Sequence, residues 1–167
     1  MGIKVVFFGS PDIAVPSFEA LINSNDFEVK ALVTQPPKPS KRGKKITDSN
    51  IKLAAIEAGV DVLEPFKLSK EPEIIEKLKS YDADFFVTFA FGQILSQEVL
   101  DITKFHTVNL HASLLPKYRG ANPICAALLA GDEKTGITTM ITVLELDAGD
   151  ICLTKEIKLD FDTDFVK

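Results

Sequence analysis

Histidine and cysteine are scarce in this chain, two of each among 167 residues, and tryptophan is absent. Cys125 and Cys152 supply neither a disulfide framework nor a zinc spacing, and no activating pattern lies near them. Both are expected as small core residues. With only His106 and His111 available, no multi-histidine metal site is expected. No apolar run reaches the roughly 18–20 residues of a membrane span. The first nine residues are too short an apolar stretch for a secretory signal and lack its cleavage site. A composition that is 46% hydrophobic and 26% charged excludes a disordered chain. The expectation is a soluble, cytoplasmic domain with one hydrophobic core and no membrane partner.

Acidic residues outnumber basic ones, 24 against 19, and the net charge of -5 argues against a protein that coats nucleic acid by bulk charge. Positive charge is nevertheless concentrated in one place. Lys38, Lys41, Arg42, Lys44 and Lys45 fall within a single stretch without an acid, introduced by Pro36, Pro37 and Pro39. Such a loop could touch a phosphate backbone; the bland alternative is an exposed loop solvated by water.

Strands alternate with helices along the chain. Ile3 to Phe8 and Asp84 to Ala90 are nearly uncharged runs of the kind buried in parallel sheets, and Phe27 to Val33 and Val60 to Leu63 read as further strands. Between them lie a helix carrying Ile13, Val15, Phe18, Leu21 and Ile22, and one capped at Thr47 or Asp48 that carries Ile51, Leu53, Ala54, Ile56 and Ala58. A third spans Glu71 to Leu78. A short helix at Ser96 to Leu100, a strand at Thr107 to Leu110 and a helix at Pro123 to Leu129 follow. Ile137 to Val143 and Ile151 to Ile157 have no helix between them and predict an antiparallel addition. The fold class is therefore α/β, a mostly parallel sheet with helices on both faces. Residues 160–167 read as the start of a further helix, so the chain is expected to be a piece of something longer.

Two turns invite a chemical reading. Gly9-Ser10-Pro11-Asp12-Ile13-Ala14 follows the first strand but lacks the later glycines of a dinucleotide turn, and Pro11 removes a backbone donor. At Asn109-Leu110-His111, alternation puts the amide and the imidazole on one side of a strand, at its carboxyl end. Together they could donate hydrogen bonds to a developing oxyanion, and histidine could also move a proton. Asp147 is the candidate acid to orient His111, with Asp150 a competitor three residues on; sequence position alone leaves the choice open. His106, at a strand entrance, reads as structural.

The run Asn109-Leu110-His111-Ala112-Ser113-Leu114-Leu115-Pro116-Lys117-Tyr118-Arg119-Gly120, with Ala130-Gly131-Asp132-Glu133-Lys134-Thr135-Gly136 and Leu146-Asp147-Ala148-Gly149-Asp150, resembles the folate-dependent formyltransferases. Phe8 to Pro16 and the proline-basic loop resemble in particular the members that act on initiator methionyl-tRNA. The resemblance covers essentially the whole chain. It implies a Rossmann-like formyltransferase fold and 10-formyltetrahydrofolate as co-substrate, with no metal. It implies Asn109, His111 and Asp147 as catalytic residues. Folate-binding roles fall to Ser113, Leu114, Leu115 and Pro116, and to Phe89, Phe91, Gly92, Gln93, Ile94 and Leu95, the strand end and loop matching the pterin pocket. Lys38, Lys41, Arg42, Lys44 and Lys45 match the loop that holds the tRNA, where Pro37, Lys38, Ser40 and Lys41 replace usual family residues. The family also implies that residues 1–167 are an N-terminal catalytic domain, to be followed by a tRNA-binding barrel domain; a monomer is expected. The alternatives are another acceptor (an amino sugar, glycinamide ribonucleotide or water) and a non-catalytic folate-binding module.

Overall fold

The computed structural model describes residues 2–37 and 47–160. The basic residues Lys38, Lys41, Arg42, Lys44 and Lys45, and the expected helix start at 160–167 beyond its first residue, lie outside the described residues. The chain divides into two compact units, Met1–Thr107 and Val108–Lys167.

In the first unit β1 (Ile3–Gly9) is the central strand. It pairs in parallel with β2 (Phe27–Val33) and with β4 (Phe85–Phe89), and β2 pairs in parallel with β3 (Asp61–Leu63), giving the order β3-β2-β1-β4. Uncharged residues run along β1 because both of its faces are covered: Val5, Val6, Phe7 and Phe8 are all buried. Phe8 packs its ring on Phe86 and Phe91 at 5.0 and 5.4 Å between centroids, and Phe7 meets Phe18 at 5.5 Å. The helices are α1 (Val15–Ile22), α2 (Asn50–Glu57), α3 (Pro72–Ser80) and α4 (Gln97–Leu100).

The second unit is antiparallel. It holds β5 (His106–His111) from Val108 on, β6 (Lys134–Ile141) and β7 (Ile151–Lys158), with α5 (Pro123–Leu129) between β5 and β6. Val108 faces Ile141 across β5 and β6, and His111 faces Thr138. Strand β7 then pairs antiparallel with β6. Among the described residues no helix is long and apolar enough to cross a membrane.

Three expectations need correction. Cys125 is half-buried and Cys152 is exposed, so neither is a core residue. In α2 the buried residues are Ile51 and Ala55, while Leu53 and Ile56 are 50% and 55% exposed. The helix begins after Ser49, one residue beyond the expected cap, and Asp48 pairs with Lys52 one turn on, at 2.7 Å. Finally, β6 starts at Lys134, three residues before the expected strand.

Candidate active site

The carboxyl end of β5 delivers His111 into the interior of the second unit. Past the strand, the chain folds back on itself: Ser113 N–H donates to the His111 carbonyl at 2.9 Å, and Lys117 N–H to Leu114 O at 3.1 Å. Ser113 is fully buried, and its hydroxyl donates to Lys117 O at 2.6 Å. Strand β6 fastens the same loop through Thr138, whose hydroxyl donates to Ser113 O at 2.7 Å and accepts from Leu115 N–H at 3.1 Å. Within the expected folate loop, Ser113 thus spends its hydroxyl on local structure, Leu114 and Leu115 are half-buried, and Pro116 is exposed.

The loop returns to the histidine. Tyr118 adopts φ +58°, in the left-handed region, and its carbonyl sits 2.9 Å from His111 Nε2. A carbonyl only accepts, so Nε2 carries the proton of that bond. On the other side of the ring, His111 Nδ1 lies 3.6 Å from Asp147 Oδ2, with the two side chains 7% and 9% exposed. A second proton on the ring would face this carboxylate, and the two would form an ion pair. The same Asp147 oxygen accepts Gly120 N–H at 2.7 Å. Asp147 itself lies at φ +48° in the turn between β6 and β7, and this turn requires a glycine two residues later: a Cβ at Gly149 would collide with the Ile141 carbonyl. Asp150, the competing acid, is exposed and uses its carbonyl to close the turn on Ile141 N–H. Geometry therefore selects Asp147. Asn109 lies two positions before His111 on β5, and strand alternation puts both on one face.

Residues 3–166 match the formyl transferase family. The chain belongs to it. Methionyl-tRNA formyltransferases from Clostridium novyi and Clostridium botulinum are 48% and 50% identical over 95% and 96% of this chain. The one from a Sulfurihydrogenibium species is 43% identical over 98%. The chain spans about half the length of these curated relatives. Among solved structures, a phosphoribosylglycinamide formyltransferase from Anaplasma phagocytophilum superposes with a TM-score of 0.79 at 20% identity, covering 98% of this chain and 76% of that one. A formyltetrahydrofolate deformylase from Pseudomonas syringae gives 0.76 at 20% identity, over 98% and 54%. Those likenesses establish the formyltransferase fold.

The first unit of this formyl transferase chain holds the other segment read as folate-binding. Phe89, Phe91 and Leu95 are buried, and Phe91 and Leu95 belong to the core cluster around Phe8 and Phe86. Their side chains are committed to packing, and the Phe91 carbonyl accepts from the Ser10 hydroxyl at 3.2 Å and the Gln35 amide at 2.9 Å. Gln93 is also occupied: its amide oxygen accepts Leu68 N–H at 2.9 Å and its NH₂ donates to Pro65 O at 3.0 Å. Ile94, by contrast, is 83% exposed, and Gly92 takes φ +78°. Residues 91–96 lie outside helix and strand, so their amides and carbonyls are not tied into a ladder.

Sequence reasoning missed Tyr118 and Thr138. Both act through positions that carry no residue-type signature, a backbone carbonyl and a fully buried hydroxyl.

Proposed function

We propose that this chain is the formyl-transferring half of an enzyme that moves a formyl group from 10-formyltetrahydrofolate to the amino group of methionine on initiator tRNA, in the service of translation initiation. The observation that carries the reading is the His111–Asp147 pair, two residues remote in sequence and both nine-tenths buried, at the end of the strand that also bears Asn109. High identity to methionyl-tRNA formyltransferases supports the choice of acceptor.

The folate derivative supplies an electrophilic formyl carbon. As the methionine amine bonds to that carbon, negative charge grows on the formyl oxygen. The Asn109 amide and the His111 imidazolium are the donors for it, each such donor being worth roughly 3–4 kcal/mol in comparable sites. In the resting arrangement Nε2–H belongs to the Tyr118 carbonyl, so His111 must share that proton with the formyl oxygen or turn it away from Tyr118. Asp147 holds the opposite edge of the ring and, through water, relays the proton lost by the amine to the departing folate nitrogen as the carbon–nitrogen bond breaks. Folate contacts fall to Phe89, Phe91, Gly92, Gln93, Ile94 and Leu95 and to Ser113, Leu114, Leu115 and Pro116. Contacts to tRNA fall to Lys38, Lys41, Arg42, Lys44 and Lys45. We assign the reaction to the cytoplasm and to a monomer.

The test is formyl transfer by the full-length protein to competing acceptors: methionyl-tRNA, glycinamide ribonucleotide, an amino sugar and water. Transfer to methionyl-tRNA should dominate. Asn109→Ala, His111→Ala and Asp147→Ala should each lower turnover by about two orders of magnitude or more. A folded variant with near-native turnover removes that residue from the mechanism.

A further inference from the structure

Tyr118 is held at both of its ends. Its carbonyl takes the His111 Nε2 proton at 2.9 Å, while its hydroxyl donates to Asp132 Oδ2 at 2.8 Å. That bond also holds the Tyr118 phenol above its ordinary pKa. Between the two ends the backbone is left-handed, a conformation that a bulky side chain keeps only where its surroundings impose it. The surroundings are visible. Before Tyr118, the Ser113 hydroxyl clasps Lys117 O; after it, Gly120 N–H is bound by Asp147. The side chain itself is fixed by Asp132, which is anchored where α5 ends, its N–H donating to Ala127 O at 3.2 Å. Lys117 Nζ approaches the same carboxylate at 3.4 Å.

We propose that Asp132 is a positioning residue: by accepting the Tyr118 hydroxyl it sets the direction of the Tyr118 carbonyl, which in turn fixes the His111 ring with its proton on Nε2. Two carboxylates then frame the imidazole, Asp147 directly and Asp132 through a tyrosine. The proposal rests on the reading of His111 as the reacting imidazole, and its test separates the two. With only two histidines in the chain, ¹⁵N-histidine labelling gives two ring systems, assigned by His106→Gln. Long-range ¹H–¹⁵N spectra of the wild type should report a fixed Nε2–H form for His111. Tyr118→Phe and Asp132→Ala should convert it to an averaged mixture and lower kcat of the full-length protein roughly ten- to a hundredfold, because small misplacements of a catalytic group cost that much. KM for the formyl donor should stay within about twofold, since ground-state binding is untouched. Asp132→Asn loses the charge facing Lys117 but keeps an oxygen for the tyrosine, and should recover most of the rate and the spectrum. The proposal is overturned if folded Tyr118→Phe keeps the His111 spectrum, or if Asp132→Asn is as impaired as Asp132→Ala. The second comparison stands alone should Tyr118→Phe not fold. A changed spectrum with unchanged kcat supports the positioning and sinks the catalytic reading of His111.

Discussion

Replacing Thr138 by valine isolates the cost of the joint that fastens the loop after His111. The substitution preserves shape and β-branching but deletes a fully buried hydroxyl that serves two backbone groups. Ser113 is itself fully buried, so its carbonyl would be stranded, at about 1–3 kcal/mol. Leu115 is half-buried and its N–H can recover water, which holds that loss to about 0.5–1.5 kcal/mol. Together they amount to about 1.5–4.5 kcal/mol, a substantial part of the ~5–15 kcal/mol that stabilises a typical domain. The neighbouring Thr139 is the control: its hydroxyl reaches only Leu153 O, at 3.4 Å on the exposed side. Thr139→Val should therefore change stability by less than ~0.5 kcal/mol. The assay is urea unfolding followed by far-ultraviolet circular dichroism and by tyrosine fluorescence, coincidence of the two probes licensing a single free energy. If Thr138→Val matches Thr139→Val, the joint carries no energy and the argument for a preorganised loop fails.

Two further outcomes follow from charges. Arg42→Ala should weaken use of tRNA while leaving folate affinity alone, and should lower the salt slope of tRNA binding by about one unit, as the loss of one phosphate contact would. An equal loss at every salt concentration would point to misfolding. Asp82 is bridged by Lys104 at 2.8 Å and by Lys4 at 2.9 Å, and their ammonium groups hold its carboxyl at about 2, below the ordinary 3.8. Because the folded pKa is depressed, the stabilisation is complete above the unfolded value and disappears as pH falls through the folded one. Melting temperature should thus fall more steeply from pH 4 to pH 2 in the wild type than in Asp82→Asn; parallel curves would show that the bridge contributes nothing.

The strands were legible because burial on both faces leaves few choices. Ile3 to Phe8 has no polar residue except Lys4, which lies at the strand's open end, paired with Asp82. The face of α2 was not legible, for a physical reason. Of its eight residues five are apolar, so they cannot mark a single stripe, and the side that packs contains the small Ala55 rather than the large Leu53 and Ile56. Cys152 was misplaced by reading residue type without strand position: every residue of β7 is exposed. At the site, Asn109 and His111 could be paired from alternation along one strand, whereas the choice of Asp147 over Asp150 depended on a left-handed turn that only a folded β6–β7 connection imposes. The mark of the bend at Tyr118 stands not on the tyrosine but two residues away. Gly120, two residues on, takes φ +105°, and a glycine closing a loop that already bears a proline marks a backbone bent to serve a neighbour.

The turn after β1 shows how one α/β sheet can depart from the dinucleotide pattern while keeping the strand order that carries it elsewhere. Parallel strands ordered β3-β2-β1-β4 reverse direction of build between β1 and β4, the place where such sheets open a crevice at their carboxyl ends. Here three hydrogen bonds tie the strand ends together across that place. The Ser10 hydroxyl donates to Phe91 O at 3.2 Å and accepts Gln35 N–H at 3.0 Å, and the Gln35 amide donates to the same Phe91 carbonyl at 2.9 Å. Gly9 is needed because a Cβ there would press into the Phe7 ring at 2.7 Å and the Ala14 methyl at 3.0 Å, not because a pyrophosphate approaches. Two positions of the turn offer a phosphate no donor: Pro11 has none, and Ala14 N–H is bonded to Pro11 O at 2.9 Å. What stays open beside the turn is a cavity of ≈ 570 Å³ whose lining includes Asp12, Asp48 and Glu64. Two of these carboxylates, Asp48 and Glu64, are bridged by Lys52 at 2.7 and 2.8 Å, so the turn departs from the dinucleotide pattern through proline and packing rather than through charge.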